Sequence, residues 1–345
     1  MSDTDQQPTE GVAAAPSAGA AAQTSGAGAA VGGIDLGGTK IEAIVADATS
    51  YHVLGNARHP TPTTGGPADV ANAMAAALTE AARAASLDPA QLRGVGVGSP
   101  GTVDPAAGTV ARADNLPGWY ASFPLAAALH SALGAKVALG NDVGVATNAE
   151  FVLGAGKPYR SLLGVFWGTG VGGGLILDGE PWHGRSAAGE IGHTVIVQGG
   201  RHCPCGRRGC LEAYAGRAAM EERARKLQGR GANTILFELA SEHHRDRLTS
   251  GIWERALEHH DKLATKLIDR AVLALGAGIA SAVNLLDIEA VIIGGGLGVR
   301  FGEPYRERIA AAMQPHLFND ARPPAVHLAG LGDLGGALGA ALLVP

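Results

Sequence analysis

The tightest constraint on this chain is the stretch from Glu190 to Glu212. It reads Glu190-Ile-Gly-His193, then nine residues, then Cys203-Pro-Cys205-Gly-Arg-Arg-Gly-Cys210-Leu-Glu212. All three cysteines of the 345-residue sequence fall within eight positions, with His193 close upstream. Three thiolates and one imidazole form the ligand set of a closed, tetrahedral zinc site, which needs four protein donors. His193, Cys203, Cys205 and Cys210 are therefore the candidate ligands of a structural Zn2+. Gly206 and Gly209 supply the tight turns that let a short loop wrap one ion. A redox or disulfide cluster is the competing reading. It fits poorly, because Cys203 and Cys205 flank a single residue and one cysteine would be left over.

Two acids bracket this loop. Glu190 lies three residues before His193, and Glu212 lies two after Cys210. Folding the loop on a metal fixes both carboxylates beside the ion, where they can accept paired hydrogen bonds from the vicinal hydroxyls of a sugar. Zinc binding of about 10–16 kcal/mol in zinc-finger peptides is enough to order such a loop. Solvated surface acids are the plainer alternative for any single Glu.

Two further stretches share one plan. Residues 31–47 read as strand, glycine turn (Gly37-Gly38-Thr39) and strand, with Asp35 just before the turn and Lys40 just after it. Residues 163–178 repeat strand, turn (Gly168-Thr169-Gly170) and strand. Convergent peptide N–H groups in such a turn form an anion cradle, and Asp35 can hold a hydrated Mg2+. One glycine hairpin is ordinary turn geometry. Two, half the ordered chain apart, imply an internal duplication with the turns facing each other across a cleft. Neither is a Walker A loop, since no glycine-rich turn leads into Gly-Lys-Ser/Thr at a helix start.

The remaining segments order around these. Residues 68–86 form an Ala-rich helix. Residues 92–98 form a buried strand ending in Ser99-Pro-Gly101, at the sheet edge where open α/β folds place ligands. Asn115 sits in the loop Asn115-Leu-Pro-Gly-Trp119. A helix at 124–133 and a strand at 136–139 lead to Asn141-Asp142 and another helix. One of this pair is expected to cap that helix. The other is then free at the ligand edge, where a carboxylate can take a hydroxyl proton during phosphoryl transfer. Helices follow at 213–228, within 235–270 and at 271–286, the last apolar and either buried or at an interface between subunits. Strand 290–293 ends in Gly294-Gly295-Gly296, where a nucleotide base or ribose can approach, although a plain strand-to-helix turn explains it as well. A helix at 333–343 closes the chain.

Composition sets the outer bounds. Apolar residues make up 46%, charged residues 17%, and glycine contributes 52 positions. The net charge of −5 argues against a general nucleic-acid or anionic-membrane binder. No apolar run is expected to reach the length of a membrane span. Thiols reserved for metal fit a reducing cytoplasm. Residues 1–30, rich in Ala, Gly, Ser, Thr, Gln and Pro, read as a disordered tail. They lack the basic and apolar regions of a secretory signal and leave no room for a DNA-reading domain ahead of the first strand.

Taken together, the segments resemble the ROK family (repressors, open reading frames, kinases), especially its bacterial glucokinases. The matching segments are Asp35-Leu-Gly-Gly-Thr39, Gly98-Ser-Pro-Gly101, Asn115-Leu-Pro-Gly-Trp119, Asn141-Asp142, Gly168-Thr-Gly-Val-Gly172, Glu190-Ile-Gly-His193, Cys203 to Glu212, and Gly294-Gly-Gly296. They run in the family's order across the chain beyond residue 30, and the cysteine segment is the most specific. The resemblance implies an actin-like ATPase fold of two ribonuclease-H-like domains with a cleft between them. On that reading 31–140, joined by the closing helix 333–345, forms one domain, and 141–332 with the zinc loop forms the other. It implies ATP-dependent phosphorylation of a hexose, with glucose first. Asp142 would be the general base on the sugar 6-hydroxyl, and Gly101, Asn115, Asn141, Glu190, His193 and Glu212 would be sugar ligands. ATP and its Mg2+ would be held by Asp35, Gly37, Gly38, Thr39, Lys40, Gly168, Thr169, Gly170 and Gly294–Gly296. An N-acetylhexosamine, mannose or fructose kinase, a polyphosphate-using glucokinase and a sugar-sensing regulator are the alternatives. A dimer or tetramer is expected.

Overall fold

The computed structural model describes residues 29–113 and 115–345. The expected tail therefore lies, but for its last two residues, outside the described residues. Ala30 is already in a strand and buried, one residue earlier than expected.

Among the described residues twelve strands run in chain order: β1 (Ala30–Leu36), β2 (Lys40–Asp47), β3 (Val53–Pro60), β4 (Val95–Ser99), β5 (Thr102–Asp104), β6 (Thr109–Ala111), β7 (Val137–Asn141), β8 (Leu162–Trp167), β9 (Val171–Leu177), β10 (Glu180–Pro181), β11 (Ala290–Gly294) and β12 (Ala325–Leu328). They build two five-stranded sheets, ordered β3-β2-β1-β4-β7 and β10-β9-β8-β11-β12, and a small ribbon of β5 with β6. In each large sheet a central hairpin is antiparallel (β1 with β2, β8 with β9), while the inner strand of that hairpin continues in parallel (β1 to β4 to β7, β8 to β11 to β12). The duplication expected from the two glycine turns is thus a repeat of sheet topology. The chemistry agrees with it: β4 and β11 are buried at every position, as strands covered on both faces must be.

The closing helix Gly335–Ala341 packs on the first sheet at very short range. A Cβ at Gly96 of β4 would stand 1.7 Å from the Ala340 carbonyl oxygen, so only glycine admits the helix at that depth. The helix Asp142–Val152, following β7, packs against this closing helix and against β9 of the second sheet. Its Glu150 is 2% exposed and accepts hydrogen bonds from the backbone N–H groups of Ala155, Gly330 and Leu331 at 2.9–3.0 Å. A buried carboxylate satisfied by three donors pins this helix to the segment that leads into the closing helix.

Three expectations need correction. The apolar helix starts at Lys262 and runs unbroken for 25 residues to Leu286, capped by Asp261, because no Gly or Pro breaker interrupts its first turns. By length and composition alone this helix is also long and apolar enough to cross a membrane, contrary to the expectation for the chain, with 61% of its apolar window buried inside the fold. Residues 213–228 split into the turn-length helix Glu212–Ala215 and the helix Arg217–Gln228, separated by extended backbone at Gly216.

Candidate active site

A cavity of about 500 Å3 lies where the two repeated hairpins approach each other. From the first half it is lined by Gly38, Gly101 and Asn115, and at the joint after β7 by Asn141 and Asp142. From the second it receives Gly168, Thr169, Gly170, Glu190, His193, Glu212 and Gly295. Sequence segments up to 257 residues apart, from Gly38 to Gly295, thus meet at one place. The remaining candidates, Asp35 at the end of β1, Gly37 and Thr39 in the first turn, Lys40 at the start of β2, Gly294 at the end of β11 and Gly296 after it, adjoin these segments but do not line the cavity. Lys40 is engaged elsewhere: its ammonium lies 3.5 Å from both Glu42 and Asp333, in a network that Arg58 completes.

At the corner between β7 and its helix the two candidate roles separate. Asn141 is the cap, its Oδ1 accepting from the N–H groups of Val143 (3.1 Å) and Gly144 (3.0 Å). Asp142 accepts from Val143 N–H at 2.9 Å and lines the cleft. Burial pushes the Asp142 carboxyl above its ordinary value against that hydrogen bond, and the charge of Glu190 pushes the same way. Asp35, on β1, is pushed up to about 7 by burial first, then by the charge of Asp142, with Lys40 opposing. Two buried carboxyls, the charge of Asp142 raising Asp35 and that of Glu190 raising Asp142, are poised for a cation or a proton.

The cysteine loop folds as the spacing requires. Gly206 and Gly209 take positive φ (84° and 82°), and a Cβ at Gly209 would meet the Val197 carbonyl oxygen at 1.7 Å. The ligand atoms of His193, Cys203, Cys205 and Cys210 lie within 4.8 Å of one another. Cys205 Sγ and Cys210 Sγ are 3.8 Å apart, as are Cys203 Sγ and His193 Nδ1. A tetrahedron with Zn–S near 2.3 Å has edges of roughly 3.8 Å, so the donors are spaced for zinc and too far apart for disulfides. Burial pushes the Cys203 thiol up to about 12 and Cys210 upward, whereas Cys205, despite its own burial, is drawn down to about 7 by hydrogen bonds from Arg207 and the other two thiols. Three thiolates cannot coexist here without a cation. A divalent metal held by these four residues would supply that charge.

The flanking acids behave differently from each other. Glu190 is exposed to the cleft, 3.9 Å from His193 Nε2, the ring nitrogen opposite the one facing the sulfurs. Glu212 accepts from Val171 N–H at 2.9 Å, while its other oxygen lies 3.9 Å from Cys203 Sγ. It ties the metal loop to the second glycine turn. Sequence reading missed Arg217, which donates to Thr169 Oγ1 and to the Leu248 carbonyl, each at 2.7 Å. The backbone N–H groups of Arg217 and Ala218 also donate to the Gly168 and Thr169 carbonyls. A basic residue directly after a glycine at a helix start was the available signal.

The ROK family model matches residues 31–345. A glucokinase of Thermotoga maritima is 32% identical over 288 residues, 82% of this chain and 88% of the relative. An N-acetylgalactosamine kinase of a Shewanella species is 33% identical over 320 residues, covering 90% and 95%. Among solved structures, a ROK family glucokinase from Streptomyces griseus in complex with glucose and AMPPNP superimposes with a TM-score of 0.77 at 31% identity, covering 91% of this chain and 98% of that one.

Proposed function

The chain is a sugar kinase of the ROK family with the actin-like ATPase fold, and we propose that it phosphorylates glucose at the 6-hydroxyl with ATP as donor. The supporting observation is the single cleft that gathers both glycine turns, Asp142 and the acids of the metal loop. Asp142 takes the proton of the 6-hydroxyl as that oxygen attacks the γ-phosphorus and the bond to the β,γ-bridging oxygen breaks, releasing ADP; burial raises its carboxyl above the ordinary value, which makes it a stronger base. Glu190, His193, Glu212, Asn115 and Asn141 orient the sugar, with Gly101 shaping the wall. The turns at Gly37–Thr39 and Gly168–Gly170 donate backbone N–H groups to the phosphates, Lys40 adds charge beside the first, and Gly294–Gly296 takes the nucleoside. Mg2+ accompanying ATP neutralises phosphate charge, and Asp35 is the residue that would hold it. Zinc, when bound by His193, Cys203, Cys205 and Cys210, supplies fixed loop geometry rather than reaction chemistry.

Closure of a first unit, 31–140 with the closing helix, on a second, 141–332, excludes water from the cleft. Subunit pairing as a dimer or tetramer belongs to the same reading. It is supported by the exposed Leu273, Leu285 and Phe318 around the long apolar helix and is checked by sedimentation.

A panel of hexoses crossed with ATP and polyphosphate tests the whole. Glucose with ATP should give the highest kcat/KM. The comparable identity to an N-acetylgalactosamine kinase keeps an N-acetylhexosamine as the second reading, and a higher kcat/KM for such a sugar would replace glucose. Absence of turnover with every sugar would end the kinase reading.

A further inference from the structure

A second cavity, of about 790 Å3, shares no lining residue with the cleft. Its walls come from the metal loop, the helix Arg217–Gln228 and the first half of the helix Lys262–Leu286. They present Arg201, Arg223, Lys262, Lys266 and Arg270 against one acid, Asp269. That acid is engaged, since its Oδ1 accepts from Arg308 at 2.5 Å. Asp261, at the cap of the long helix, spends its oxygens on the N–H groups of Ala264 and Ile235, both at 2.7 Å. Lys262, Lys266 and Arg270 recur every fourth residue and so share one helix face, near the end where the helix dipole is positive.

The arginines are placed as if around a missing acceptor. Arg201 Nη1 and Arg223 Nε are buried with no hydrogen-bond partner among the described residues. The guanidinium carbons of Arg201 and Arg270 lie 4.6 and 5.2 Å from the centroid of the same Tyr214 ring. Such clustering of like charge is unfavourable unless an anion accepts from several donors at once. Arginine forks match the oxygens of a phosphoryl group, which offers both the charge and the number of acceptors.

We propose that this cavity binds the phosphoryl group of a small anion, either inorganic phosphate or a phosphate ester, and that its occupancy stiffens the metal loop. The backbone N–H of Arg201 donates to the Tyr214 hydroxyl at 3.0 Å, and its carbonyl oxygen accepts from Gly209 N–H at 2.8 Å. It stands two residues before Cys203, and Tyr214 stands two after Glu212. An anion here therefore bears on the back of the loop that carries Glu212. The binding rests on the cavity alone; its effect on the sugar rests on the proposed reaction.

The test uses the full, zinc-loaded chain with the cleft saturated by glucose and AMPPNP, at constant ionic strength. Calorimetric titration with inorganic phosphate should show one site per chain. The double variant Arg223→Ala/Lys266→Ala should weaken that binding at least tenfold while kcat in phosphate-free buffer stays unchanged. Its Tm without phosphate should be equal or higher, because repulsion is relieved; a merely structural role for Arg223 would lower it and would sink the proposal. Lys266→Ala alone, at an exposed position, should give a smaller loss in the same direction if the double variant does not fold. Tighter binding of glucose 6-phosphate or tripolyphosphate than of inorganic phosphate identifies an ester or chain as occupant, and the reverse order identifies free phosphate. Equal binding by parent and variants overturns the proposal. So does no phosphate binding in a chain that sedimentation shows to be paired, since a second copy then fills the cavity.

Discussion

The two glycine hairpins have one backbone plan and two kinds of fastening. The turn between β1 and β2 is held from within its own half. Gly37 N–H donates to the Lys40 carbonyl, Thr61 Oγ1 donates to the Gly37 carbonyl at 2.7 Å, and the ion-pair network of Lys40, Glu42, Arg58 and Asp333 ties it to the turn before the closing helix. The turn between β8 and β9 is held by the segment after the cysteines: Glu212 on Val171, Arg217 on Thr169. Duplication therefore preserved the strands while the supports diverged. The first turn leans on partly exposed charges that salt screens. The second depends on the loop that carries the four candidate metal ligands.

The largest expected effect lies at the joint between the halves. Asp142→Asn should lower kcat by about 10²–10⁴-fold, the usual worth of a positioned base, while calorimetry finds glucose affinity within a few-fold of the parent. An Asn variant that turns over normally would remove Asp142 from the chemistry. Metal removal comes next and bears directly on the contrast. Chelation should raise the glucose KM by roughly 10–100-fold, as expected when hydrogen bonds from charged groups worth about 1.5–3 kcal/mol are lost. High salt should leave that parameter nearly unchanged in the zinc-loaded protein. If chelation leaves KM where it was, the loop does not position the sugar and the two turns are supported alike.

A smaller change isolates the second turn from its metal. Arg217→Ala removes the donor to Thr169 and the Leu248 carbonyl but touches no ligand of the cysteine site. The KM for ATP should rise about tenfold, consistent with one charged hydrogen bond, with zinc content by metal analysis unaltered. A variant that loses zinc instead would show that the turn and the loop fold as one unit.

What the sequence revealed follows from how local each signal is. The cysteine loop, both hairpins and a cap within the Asn141-Asp142 pair are written in contiguous residues; which of the two caps emerged only from the fold. The pairing of Lys40 with Asp333 was not legible, because the two stand 293 positions apart and nothing local announces it. The long helix was read in two pieces because its first turns are charged and its later ones apolar, although both belong to one face pattern. The basic cavity was hidden by a net charge of −5, which averages away a local cluster. The recurrence of Lys262, Lys266 and Arg270 was the legible trace of it. Arg217 acts through a residue 48 positions away, a pairing that only the fold creates.

The smallest effect concerns the first half and is a matter of pH. Asp35 is pushed up to about 7 in the folded protein against an ordinary value of 3.8. Between those two values the unfolded chain has already released this proton while the folded chain still holds it, so this group makes stability fall as pH rises. Below about pH 4 both states are protonated and the penalty is absent; above pH 7 it is complete. Asp35→Asn, measured without nucleotide or Mg2+, should therefore match the parent Tm near pH 4 and exceed it at pH 8, by roughly 2–4 °C for each kcal/mol relieved. Because Asp142 is the second cause of the shift, after burial, the gain should shrink in an Asp142→Asn background. A gain that is independent of pH would mean that the amide packs better and that the carboxyl was never strained. A gain unaffected by Asp142→Asn would mean that burial alone raises Asp35, and the two acids would not be coupled across the joint.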